Sequence, residues 1–163
     1  MFFLSIIMTV YNSERYLEDS INSILNQTFS DFEFIIINDG SNGSSSRIID
    51  EYRSKDKRIR VIEHENRGIA KSLNEGIRIS KGTFIARHDA DDVSFAGRLE
   101  KQLHFLQVNN AYGLVGSDWE YINEYGDKMI NEKKFFVSPS TPSDFRIFHV
   151  STSMILASTL NVP

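Results

Sequence analysis

Over the first two thirds of the chain, short apolar runs alternate with segments whose apolar residues recur every three or four positions. Phe3 to Thr9 reads as a first strand. A helix follows, with Leu17, Ile21, Ile24 and Leu25 on one stripe and Ser13-Glu14 at its start. Phe34-Ile35-Ile36-Ile37 is unbroken by polar residues, the pattern of a second strand buried on both faces. A loop rich in Gly, Ser and Asn, Gly40 to Ser46, leads to a second helix carrying Ile48, Ile49 and Tyr52. Ile59 to Ile62 predicts a third strand. Ile69, Leu73 and Ile77 predict a third helix that stops near Gly82. Thr83 to Arg87 predicts a fourth strand. Beyond an acidic loop, Leu99, Leu103 and Leu106 mark a fourth helix.

Strand and helix therefore alternate four times, which argues for an α/β fold with a mostly parallel sheet covered by helices on both faces. After Asn110 the pattern changes. Gly113 to Ile122 and Met129 to Val137 read as strands around the turn Glu124-Tyr125-Gly126-Asp127, with a short helix near Pro142 to Phe148. This last third is expected to complete the sheet.

Composition narrows the picture. The 163 residues, 40% hydrophobic and 25% charged, suit one globular domain. A net charge of -4 argues against nucleic acid as a partner. An anionic ligand remains open if a metal bridges it to acidic side chains. With no cysteine, disulfides and Cys-based zinc sites are excluded, and a reducing, cytoplasmic setting is the default. The apolar opening Met1 to Met8 lacks a basic leader and a small-residue cleavage site, and falls short of the ~20 residues of a membrane helix. A buried strand explains it, and no other stretch is expected to span a bilayer.

In an open α/β sheet, ligands bind beyond the carboxyl ends of the strands. Polar clusters follow all four predicted strands: Thr9 to Ser13, Asn38 to Ser41, Glu65 to Gly68, and Asp89-Ala90-Asp91-Asp92. The last is the sharpest. Three carboxylates in four residues repel one another unless a cation intervenes, and hard oxygen donors suit Mg²⁺ or Mn²⁺. The competing reading is a solvated loop capping the fourth helix. Tyr11 can stack on a flat ring, or simply pack over the first helix. Asp39 can accept a hydrogen bond from a base N–H, or shape the turn Asp39-Gly40-Ser41. Lys71 can reach a diphosphate from the start of the third helix, against simple surface solvation. Arg53 to Arg60 reads as a solvated turn at the opposite edge. His64, His88, His104 and His149 are scattered without metal-ligand spacing. No G-x-S-x-G, P-loop or G-x-G-x-x-G occurs.

Taken together, Ser5 to Asn12, Ser23 to Phe29, Glu33 to Ser41, Asn66-Arg67-Gly68 and Asp89 to Asp92 with Arg98-Leu99 resemble the family 2 glycosyltransferases, in order over about the first two thirds. The resemblance implies a GT-A fold in a single domain, residues 1–163, with a nucleotide-binding half over 1–110 and the start of an acceptor-side half over 111–163. It implies that Thr9, Tyr11 and Asp39 surround the base. It places Asp89 near the ribose and Asp91, or Asp92 in the other register, on the metal. It further implies inverting, metal-dependent transfer from a nucleoside-diphosphate sugar, a UDP-sugar, to a glycan or lipid-linked acceptor at the inner face of a membrane. Polysaccharide or cell-surface glycan synthesis in bacteria is the expected role.

The chain departs from that family at two points. Asn38 stands where the turn after the second strand more often has an aspartate, and no Glu-Asp pair follows Asp92. The general base is therefore expected beyond Pro163, in a longer protein of which this is a part. Asp118 is the first substitute within the chain, beside Glu120. A module that binds a sugar nucleotide without transferring it is the alternative. A receiver domain would need acidic residues after the first strand, and a nucleotidyltransferase a Gly-rich loop there; Tyr11-Asn12-Ser13 supplies neither.

Overall fold

The computed structural model describes residues 3–109, 111–117, 120–123 and 154–157. The strands are β1 (Leu4–Val10), β2 (Phe32–Asp39), β3 (Ile59–His64), β4 (Phe84–Arg87), β5 (Leu114–Gly116) and β6 (Met154–Ala157). The helices are α1 (Leu17–Leu25), α2 (Ser45–Lys55), α3 (Ile69–Ile79) and α4 (Arg98–Val108). All four expected βα pairs are present. β2 and β3 each run two residues further toward the cleft than the apolar pattern alone marked, because Asn38-Asp39 and Glu63-His64 stay paired in register.

The sheet order is β3-β2-β1-β4-β6-β5. β1 to β4 are parallel. β6 lies antiparallel to β4, and β5 antiparallel to β6. The chain thus steps outward from β1 to β3, then returns to add β4 on the other side of β1. That reversal opens a crevice at the carboxyl ends of β1 and β4, the topological position where open α/β sheets bind ligands. The expectation that later residues complete the sheet holds for β5 and β6. Met129 to Val137, the turn before it and the helix near Pro142 lie outside the described residues.

The centre of the sheet, β1 and β2, is buried on both faces. Leu4, Ile6, Met8 and Val10 of β1 alternate with Ile7, and both sets are buried. The larger core joins β1 and β2 to Leu17, Ile21 and Ile24 of α1, Ile48 and Ile49 of α2, and Leu99, Leu103 and Leu106 of α4. The smaller core, on the opposite face, joins Ile7, Ile35 and Ile37 to Leu73 and Ile79 of α3. Full burial of each such aliphatic side chain contributes about 1.5–3 kcal/mol.

α3 corrects one expectation. Ile69 and Ile77 are 52% and 42% exposed, and the buried helix positions are Ser72 and Gly76. A Cβ on Gly76 would stand 2.6 Å from Ile7 and 2.9 Å from Ile37. The helix lies so close to the sheet that small residues face it; Leu73 and Ile79 pack beside them, while Ile69 and Ile77 turn outward.

The run Arg53 to Arg60 is more than a solvated turn. Arg60 pairs with Glu33 at 2.6 Å, and the Glu33 side chain is fully buried. Glu33 also accepts hydrogen bonds from the Ser5 hydroxyl and the Lys81 N–H, each at 2.7 Å. Arg58 is bonded to Asp56 and lies over the Phe32 ring. These contacts tie the amino ends of the strands together, away from the crevice.

Candidate functional site

A cleft of about 290 Å³ opens at the carboxyl ends of β1, β2 and β4. It is lined by Thr9, Val10, Tyr11 and Ser13 after β1, Asp39 at the end of β2, Asn66, Gly68 and Ile69 before and in α3, and Asp89, Ala90 and Asp91 after β4. The four polar clusters read from the sequence therefore do meet. Thr9, Tyr11, Asp39, Asp89 and Asp91 all face this one space.

The loop after β1 is fastened to the loop after β2. Asn12, the single described non-glycine residue with positive φ (49°), donates its N–H to the Ser41 hydroxyl and accepts the Asn42 N–H at 2.8 Å. The Ser13 N–H donates to the Ser45 hydroxyl, which in turn donates to Glu14. Tyr11 projects from this braced loop, half exposed at the cleft rather than packed into the core.

The turn after β2 is shaped by Asn38, not Asp39. Asn38 Oδ1 accepts the Ser41 N–H, and its amide donates to the Ser46 hydroxyl. Gly40 is required here: its φ is +77°, and a Cβ would lie 2.5 Å from the Asn66 nitrogen. Asp39 is thereby released to reach across to the loop after β3, where it accepts the Arg67 and Gly68 N–H groups at 2.8 and 2.9 Å. Burial pushes its carboxyl up, but the bonds from Arg67, Ser72 and Gly68 and the neighbouring His64 outweigh it and hold Asp39 below the ordinary range. Asp39 is ionised and acceptor-only toward a ligand.

The acidic turn after β4 is asymmetric. Arg87 grips Asp89 through Nε at 3.1 Å and Nη2 at 3.0 Å. Burial nevertheless raises Asp89, with the Asp91 charge adding to the rise. Asp91 is exposed at the cleft. Asp92 does not line the cleft. Burial and the charges of Asp89 and Asp91 push it up to about 6, against the pull of Arg98 and Arg87. Arg98 is itself buried and lowered to about 10 by desolvation.

His88 is fully buried, its two nitrogens facing the Ser20 and Ser94 hydroxyls at 3.1 and 3.4 Å. Desolvation, with the nearby Arg98 charge, lowers it to about 3, so it is a neutral packing residue. Lys71 is exposed and lies outside the cleft, on a neighbouring depression shared with Arg67, Asn74, Glu75 and Arg78. Asp118 lies outside the described residues.

A divalent ion fits this donor set in one form only. Among the described residues, no group of three or more His, Cys, Asp or Glu side chains could enclose a metal. Two of the three carboxylates lining the cleft, Asp89 and Asp91, come from the one acidic turn, and Mg²⁺ or Mn²⁺ commonly takes one or two carboxylates and fills its remaining positions from water and substrate phosphate.

The family model described as glycosyl transferase family 2 matches residues 5–156. The chain belongs to that family. A relative in this glycosyltransferase family, an uncharacterized glycosyltransferase of Methanocaldococcus jannaschii, is 42% identical over 134 residues, covering 80% of this chain and 46% of its own length. The O-antigen biosynthesis glycosyltransferase WbnJ of Escherichia coli is 39% identical, covering 81% of this chain and 52% of its own. The chain thus spans about half the length of these curated relatives. Two solved structures share the fold. S. aureus TarS in complex with UDP gives a TM-score of 0.72 at 23% identity, covering 96% of this chain and 47% of its own. A mannosyltransferase of Pyrobaculum calidifontis, in complex with GDP-Man and Mn²⁺, gives 0.64 at 20% identity, covering 68% and 34%. Among the described residues of this family 2 member, no helix is long and apolar enough to cross a membrane.

The sequence reading missed Arg87, His64 and the backbone of Arg67 as supports of the two key carboxylates. Arg87 was readable as the last residue of an apolar strand, two positions before Asp89. His64 carried no such signal, because its role depends on the register between β2 and β3, which sets it opposite Asp39.

Proposed function

We propose that the cleft binds a UDP-sugar and that the full protein transfers the sugar, with inversion, to a hydroxyl of a glycan or lipid-linked acceptor in surface polysaccharide synthesis. The observation that carries this reading is the meeting of Tyr11, Asp39, Asp89 and Asp91 in one cleft at the switch between β1 and β4. Tyr11 offers its ring to the base, Asp39 accepts a base N–H, and Thr9 lines the same cleft. Asp89 and Asp91 would hold Mg²⁺ or Mn²⁺, which when bound offsets the charge of the leaving diphosphate. Arg87 keeps Asp89 oriented toward the cleft. The acceptor hydroxyl must lose its proton to a carboxylate, and general base catalysis contributes about 10²–10⁴-fold. Asp118 is one candidate, and a carboxylate beyond Pro163 is the other.

The bound nucleotides of the fold neighbours carry either uridine or guanosine, so the base must be read from this chain's own residues. Calorimetry with UDP and Mn²⁺ tests the base pocket. Tyr11→Ala is expected to weaken UDP by roughly 5- to 150-fold, in line with a stacking contribution of ~1–3 kcal/mol. Asp39→Asn should weaken it by about tenfold or more. Unchanged affinity in both variants would show that the base binds elsewhere. Transfer activity is assigned to the longer protein, and a chain extended past Pro163 should outpace this one in turnover of UDP-sugars. Equal rates would place the base within these residues and make Asp118 the first to replace.

A further inference from the structure

α1 carries a polar stripe beside its apolar one. Ser20, Ser23 and Gln27, the last just past the helix end, stand at helical spacing. All three bond to the segment that follows β4. The Ser20 hydroxyl donates to the Asp89 carbonyl at 2.9 Å. The Ser23 hydroxyl accepts the Ser94 N–H at 3.0 Å. Gln27 donates to the Phe95 carbonyl at 2.9 Å and accepts the Leu99 N–H at 3.1 Å. The Asp89 carbonyl also accepts the Asp92 N–H at 3.2 Å, which closes the acidic turn. His88 lies behind Ser20, with Nε2 3.1 Å from the hydroxyl oxygen, and its backbone N–H donates to the Ile7 carbonyl of β1. Ser20 and His88 are both fully buried.

We propose that Ser20 is a positioning residue for the metal: braced by His88, it fixes the Asp89 carbonyl and so aims the Asp89 and Asp91 carboxylates at one ion. The proposal rests on the reading of the cleft as a metal and nucleotide site. Arg87 holds only the Asp89 side chain. The path of the backbone from Asp89 to Asp91 is governed from α1, through the one carbonyl that Ser20 and the Asp92 N–H share. Ser23 and Gln27 hold the rest of the segment, so the turn cannot drift as a unit. A buried hydroxyl lowers stability unless it is bonded, and this one is bonded to the backbone of the turn. Groups that orient metal ligands from behind typically contribute 10–100-fold to metal affinity.

The test titrates the whole chain with Mn²⁺ at saturating UDP, with free Mn²⁺ read by electron paramagnetic resonance. Ser20→Ala is expected to weaken Mn²⁺ by about tenfold, the lower end of that range because Ser20 holds a ligand's backbone rather than its carboxylate. UDP binding without metal, read by calorimetry, should be unchanged. Ile21→Val trims the buried neighbour of Ser20 on α1. It should lower the melting temperature and leave the Mn²⁺ affinity as it is. Melting temperatures accompany each titration, and if Ser20→Ala fails to fold, Ser20→Cys is read in the same way. Unchanged Mn²⁺ affinity in the folded Ser20 variant overturns the proposal and leaves the metal reading standing. An equal loss in Ile21→Val, or a matching loss of metal-free UDP binding, does the same, since either marks a purely structural role. Failure of the wild-type chain to take up Mn²⁺ with UDP overturns both.

Discussion

Asp91→Ala is expected to reduce the affinity for UDP in the presence of Mn²⁺ by about 100-fold, near 2.8 kcal/mol by the tenfold-per-1.4 kcal/mol rule. Asp91 is the exposed carboxylate of the acidic turn that faces the cleft. Asp89, its partner in the cleft, already has both oxygens engaged by Arg87. Loss of Asp91 therefore leaves an ion with one protein ligand that is shared with a guanidinium. The fold should be unaffected, because an exposed side chain is being truncated. The apparent pKa of Asp92 should also fall, since Asp91 is among the charges that raise it. The defect should shrink when Mn²⁺ is omitted, which separates a metal ligand from a general contact. Calorimetry with and without Mn²⁺ reads both. Asp92→Ala, whose side chain does not line the cleft, should have the smaller effect.

The second large effect concerns stability. Glu33→Ala should cost about 3 kcal/mol, toward the lower end of the ~3–5 kcal/mol for breaking a buried ion pair, because Arg60 is 38% exposed and stays partly hydrated. That is a large share of the ~5–15 kcal/mol that holds a domain folded. Urea denaturation measures it, and a loss under ~1 kcal/mol would contradict the account. The pH dependence has a fixed sign. Burial raises the Glu33 carboxyl, but Ser5, Arg60 and the Lys81 N–H outweigh it and leave the folded value below the ordinary one. Its contribution is then complete above an unfolded value of ~4.3 and is lost as pH falls through the lowered folded value. Glu33→Gln should lose that part of the acid sensitivity, seen as a shallower fall of stability below about pH 4.5.

Much of this architecture was legible in the sequence because its signals are local. The run Phe34 to Ile37 admits little besides a strand buried on both faces, and the leucines at 99, 103 and 106 repeat at helical spacing over one stripe. The convergence of Tyr11, Asp39 and Asp91 followed from topology, since parallel strands bring their carboxyl ends to one edge. What stayed hidden depends on separations between elements. The distance of α3 from the sheet rotates the apparent stripe, burying Ser72 and Gly76, keeping Leu73 against the core and exposing Ile69 and Ile77. The register of β2 against β1 and β3 seats Glu33 beside Ser5 and within reach of Arg60, and sets Asp39 opposite His64. Which of two adjacent aspartates faces the cleft is a matter of turn geometry, and neither Asp91 nor Asp92 carries that information in its identity. Asn38 is a similar case. It stands where the family more often has an aspartate, and its side chain closes the turn in both directions, through Ser41 and Ser46.

The central claim is that one cleft, between β1 and β4, holds the nucleotide and its metal together. Amide NMR of the uniformly labelled chain, titrated with UDP and Mg²⁺ and then with trace Mn²⁺, addresses it most directly. The account predicts shift changes concentrated at Thr9, Tyr11, Asp39, Gly68 and Asp89 to Asp91. It also predicts paramagnetic broadening centred on Asp89 and Asp91 that strengthens when UDP is present. Shifts centred instead on the depression around Lys71 and Arg78, or Mn²⁺ broadening that ignores UDP, would contradict it.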